Sequence, residues 1–141
     1  MNQHLKRATA AAALTAALIG GGASVAGASS RTEVMSGLTN LSTDIHNMTT
    51  AAQTSDLGAM QSACSSIQSD ANDMLTYDTR PRSVPRRAWR LLRQALRLEV
   101  LAGEQCEIGA RDVDPNAIEL ATSYLDQGTA KLNAAADAMG V

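Results

Sequence analysis

Arginine has the most chemistry to offer in this sequence. Of the twelve basic residues, seven fall within one short segment: Arg80, Arg82, Arg86, Arg87, Arg90, Arg93 and Arg97. A guanidinium is permanently charged, and its fork of donors matches phosphate, sulfate and carboxylate groups. Arg86, Arg90, Arg93 and Arg97 recur at steps of four, three and four, so a helical segment would carry them as one stripe. Such a stripe is locally unfavourable. Like charges four residues apart repel, and cations near a helix N-terminus oppose its dipole. Two explanations compete. In the first, acidic residues of the preceding segment, Asp70, Asp73 and Asp78, neutralise the stripe within the fold. In the second, the stripe, extended by Arg80 and Arg82, is a surface for an anionic lipid headgroup, cell-wall polymer, nucleic acid or acidic protein.

Other reactive side chains are few. Glu99 falls near the apolar face of its segment and is the carboxylate to watch, whereas Glu104 and Glu107 read as surface residues. Arginines combined with a glutamate in a helical bundle would suit a secreted enzyme of chorismate-mutase type, which requires a polar pocket around Glu99. No stretch spells a catalytic, nucleotide or metal motif, so the expectation is no enzyme, no metal and no cofactor. His46 lacks the C-x-x-C-H context of attached haem, which leaves a carrier of haem or another apolar ligand as the alternative function. The net charge of −2 gives no bulk attraction to polyanions, and specific nucleic-acid binding is not expected.

The elements that must position these groups are helices. Phe is absent and the large rings are Trp89, Tyr77 and Tyr124, so the core has to be built from Leu, Ile, Met and Ala. Val34, Leu38, Leu41, Ile45, Met48 and Ala52 form a first three–four stripe, with Ser30 and Glu33 in capping-box relation ahead of it. Leu57, Met60, Cys64, Ile67, Ala71 and Met74 form a second, out of phase with the first, with Asp56 as N-cap. Residues 78–84 interrupt the pattern, and Pro85 opens a third helix with core positions Trp89, Leu92, Leu96, Val100 and Gly103, expected to end near Gly109. Asp114, Pro115 and a Val113–Ile118 staple start the fourth, whose stripe is Ile118, Ala121, Leu125, Gly128, Leu132, Ala135 and Met139. The expected fold is all-α: an antiparallel up-down-up-down four-helix bundle, with helices over about 31–53, 56–77, 84–110 and 115–139. Trp89 plugs one end, and Gly128 marks one close helix approach.

The N-terminus reads as an address. Lys6 and Arg7 precede an uncharged run from Ala8 to Ile19. Glycines then follow, and Ala26-Gly27-Ala28 supplies small residues for cleavage after Ala28. Residues 1–28 are therefore expected to be a cleavable signal peptide and 29–141 the exported domain, secreted or held in the cell envelope and not membrane-spanning after processing. An uncleaved anchor is the rival reading. Two cysteines in an oxidising compartment, Cys64 and Cys106, predict one disulfide.

The segments Asp56-Leu57-x-Ala59-Met60-x-x-Ala63-Cys64, Trp89 after a proline-rich loop, Cys106-x-x-Gly109-Ala110 and Leu125-x-x-Gly128-Thr129-x-x-Leu132-Asn133-x-Ala135 span most of residues 34–139. With them the chain resembles small exported helical-bundle proteins of mycobacteria and related actinobacteria. The shared positions are cysteines, small residues and core sites, so the resemblance implies a fold and a compartment but no active site. The reading is a secreted, non-enzymatic bundle that binds an anionic partner through its arginine face.

Overall fold

A computed structural model of the protein describes residues 28–140, with side chains from residue 32 onward. All but the last residue of the expected signal peptide lies outside the described residues. Among them are four helices and no strand: α1 Ala28–Thr54, α2 Leu57–Leu75, α3 Arg86–Asp112 and α4 Pro115–Met139. None is long and apolar enough to cross a membrane.

Most positions of the periodic stripes become the core; Leu57, expected on the second stripe, is exposed instead. Val34, Leu38, Leu41, Ile45 and Met48 of α1 are buried with Met60, Cys64, Ile67, Ala71 and Met74 of α2. Leu92, Leu96, Ala102 and Cys106 of α3 and Ala121 and Leu125 of α4 complete the same cluster. Many buried positions are alanine, which lets helices approach closely but gives each contact little apolar area. Thr49, buried on α1, satisfies its hydroxyl by donating to the Ile45 carbonyl at 2.9 Å.

Helix ends follow local chemistry. Asp56 accepts from the Ala59 amide at 2.9 Å, and Asp114 accepts from the Asn116 amide at 2.9 Å. Both are N-caps of the expected kind. Ser30, by contrast, already lies inside α1 and is not its cap. Pro85 is the N-cap of α3, one residue ahead of the first turn. Gly109 does not end α3, which continues to Asp112. It is an interior glycine, and a Cβ there would meet Ile118 Cδ1 at 2.5 Å. The helix stops at Val113, held left-handed at φ 53°, with the Asp114 amide donating back to the Gly109 carbonyl at 3.1 Å. Val113 is 69% exposed, so it does not close a buried staple over Ile118.

Cys64 and Cys106 are joined at a Cα–Cα distance of 5.7 Å. Tyr77 lies 13 residues beyond Cys64, and Arg93 lies 13 before Cys106; Arg93 Nη1 donates to the Tyr77 carbonyl at 2.9 Å. Between them, Gln68 Nε2 donates to Glu104 Oε1 at 3.2 Å. Contacts thus advance along α2 as they retreat along α3. In this register α2 ends 11 residues past its cysteine, while α3 begins 20 before its own. At about 1.5 Å per residue, α3 overhangs α2 by roughly 13 Å. Residues 76–85 connect the two helices across that difference in level, and Pro81 and Val84 among them are buried.

Candidate functional site: an arginine face and a buried glutamate

The overhanging turns of α3 carry the arginines. Arg82, Arg86, Arg87, Arg90 and Arg97 are exposed, while Arg80 and Arg93 are half-buried. The two half-buried ones hold the loop. Arg80 Nη1 donates to the Val84 carbonyl, and Arg93 Nη1 to that of Tyr77. The exposed five make no ion pair or hydrogen bond among the described residues, where the only ion pair is Arg111 with Asp112. None of the acids expected to neutralise the stripe, Asp70, Asp73 and Asp78, pairs with an exposed arginine among the described residues. Because α3 overhangs α2, Arg86, Arg87 and Arg90 lie beyond the level of Asp70 and Asp73. Arg97 is level with Asp73 but unpaired with it.

Asp70 faces another carboxylate. Asp44 of α1 lies against it, and partial burial, then the charge of Asp70 and a hydrogen bond shared with it, raise the Asp44 carboxyl to about 6. Such a pair holds a proton more readily than either acid alone.

Glu99 is fully buried, and neither carboxyl oxygen has a hydrogen-bond partner. It packs where Gly128 leaves room: a Cβ on that glycine would stand 2.5 Å from Glu99 Oε1. Burial pushes its pKa up to about 8, because a lone carboxylate in an apolar interior loses its hydration without compensation. Glu99 is therefore mostly neutral at neutral pH. It sits two residues, about 200°, around α3 from Arg97, so the helix places acid and arginines on opposite faces.

The described residues contain no cluster of three His, Cys, Asp or Glu able to hold a metal ion. His46 is exposed on α1. A shallow polar hollow beside α2 is lined by Ser62, Ser65, Ser66, Ser69 and Glu107, with no histidine among its residues to activate a hydroxyl. Trp89 is half-buried and packs on the core, as do Tyr77 and Tyr124. Comparison with protein-family models, characterised proteins and solved structures finds no match.

Sequence reasoning located the arginine face but not the division of labour within it. Arg80 and Arg93 cannot be told from their neighbours by spacing, because their role depends on where the loop carbonyls fall. It also missed the Asp44–Asp70 pair, since nothing in the sequence gives the rotation of α1 against α2.

Proposed function

We propose that this protein is an exported, non-enzymatic bundle that binds a polyanion through the exposed arginines of α3 and its preceding loop. The observation that carries the reading is the set of five exposed guanidiniums, Arg82, Arg86, Arg87, Arg90 and Arg97, with no partner among the described residues. Holding like charges this close is unfavourable unless an anion relieves them. From Arg86 to Arg97 the stripe runs roughly 17 Å along the helix. That length exceeds the screening distance of about 10 Å at 0.1 M salt, which favours a partner with repeated charges over a single small anion.

Export and an up-down-up-down topology belong to the same proposal. The residue types of positions 1–28 and the disulfide support export from a bacterium of actinobacterial type. The topology is supported by contacts that run in opposite directions along successive helices: Gly37 with Met74, Cys64 with Cys106, and Gly109 with Ile118.

Reversing Arg86, Arg90 and Arg97 to Glu tests the function. The expected result is an unchanged far-ultraviolet dichroism spectrum with loss of binding to long-chain polyphosphate and to phosphatidylglycerol vesicles. Loss of one and retention of the other would identify which anionic source the face prefers. Undiminished binding of both would refute the assignment.

A further inference from the structure

At the other end of α3, the α1–α2 and α3–α4 turns border a groove of about 530 Å³. This is within the range of roughly 300–1,000 Å³ typical of small-molecule sites. Its walls are aliphatic: Ala52, Leu57, Met60, Val113, Pro115 and Ile118. Leu57 is 44% and Val113 69% exposed, so the groove presents apolar side chains to water. No aromatic ring lines it, which leaves a planar ligand without a stacking partner and suits a flexible hydrocarbon chain.

Two further features set this end apart. Ser55 and Val113, at φ 56° and 53°, are the only non-glycine residues with positive φ among the described ones, and both line the groove. A β-branched residue in that conformation is strained, and strain of this kind concentrates where a binding geometry requires it. The polar rim is acidic. Asp114 and Glu119 are among the residues lining the groove and no basic residue is, and Glu119 is exposed and unpaired among the described residues.

We propose that this groove binds a cationic amphiphile, with a single hydrocarbon chain against Leu57, Met60, Val113 and Ile118 and its ammonium head at Glu119 and Asp114. The site is separate from the arginine face and opposite to it in charge, so it goes beyond the polyanion-binding reading.

The test titrates the whole chain with decyltrimethylammonium below its micelle concentration, followed by calorimetry and by amide shifts in a nuclear magnetic resonance spectrum. The expected result is saturable one-to-one binding, with shifts centred on residues 52–60 and 109–122. Glu119→Lys should weaken it about tenfold or more, the scale of one lost charge contact. Val113→Gly should weaken it while leaving the fold intact, and Asp137→Lys, an exposed change elsewhere on α4, should leave it unchanged. Tetramethylammonium, which has the head without the chain, should not bind measurably. Absence of saturable binding, shifts centred elsewhere, or affinity indifferent to Glu119→Lys would overturn the proposal.

Discussion

Glu99 is the residue whose environment departs furthest from its chemistry. A folded-state pKa raised to about 8 means that the native protein holds this proton more tightly than the unfolded chain, whose value is about 4.5. Stability from this group is therefore fully present below about pH 4.5 and is lost as pH rises toward about 8. Asp44 acts in the same direction over a lower window, from 3.8 to about 6. Denaturant melts should accordingly show stability falling between about pH 4 and 8, and Glu99→Gln should flatten the upper part, from about 6 to 8, while the Asp44 part persists. A second prediction concerns Gly128. Gly128→Ala should cost about 1–3 kcal/mol by crowding the carboxyl, and a large share should be recovered in the double variant with Glu99→Ala. The sequence points to Glu99 only in part. Buried α3 positions include Leu92, Leu96, Glu99, Gly103, Cys106 and Ala110, an unbroken three–four series. Hydropathy assigns the middle slot to Val100 because a carboxylate is not expected there, yet Val100 is only half-buried. Strict three–four spacing points to Glu99, whereas hydropathy points to its neighbour.

Among the elements, the α2–α3 pair is held by its disulfide and by the connecting loop. The bridge spans a sequence separation of 42, and on chain-entropy reasoning it restricts the unfolded chain by about 4 kcal/mol. Replacing Cys64 and Cys106 together by Ser should lower unfolding free energy by about that amount in urea melts. Heptad arithmetic alone leaves the two cysteines about two turns out of level across the loop. The overhang of α3 removes the discrepancy, and a difference in helix level is not encoded by spacing. The α3–α4 turn carries the opposite lesson. Its N-cap Asp114 and Pro115 are legible, because capping is a local matter. The left-handed Val113 is not, since glycine is the residue expected there. Val113→Gly should raise stability by about 1 kcal/mol by relieving the left-handed conformation, measured as a higher urea midpoint at unchanged slope.

At the scale of the whole molecule, charge is polarised along α3. Unpaired arginines gather around its N-terminal turns, and an apolar groove with an acidic rim lies around its C-terminal turn. Helix number and most of the core stripes could be read from periodicity, since burial of one face is what forms them, and the cysteine pair from there being two cysteines in a chain read as exported. Which arginines stay free could not, because that depends on relative helix levels and loop carbonyls. The central claim is that the free arginines bind and the loop-holding ones stabilise. It is tested most directly by measuring polyphosphate affinity and melting temperature for Arg86→Gln, Arg90→Gln, Arg97→Gln and Arg93→Gln in parallel. The first three should each weaken binding severalfold, more so at low salt, with melting temperature unchanged. Arg93→Gln should lower the melting temperature by several degrees, as loss of a part-buried charge-assisted hydrogen bond worth about 1.5–3 kcal/mol predicts, with a smaller effect on binding. Equal affinity across the wild type and the three exposed-arginine variants would contradict the account.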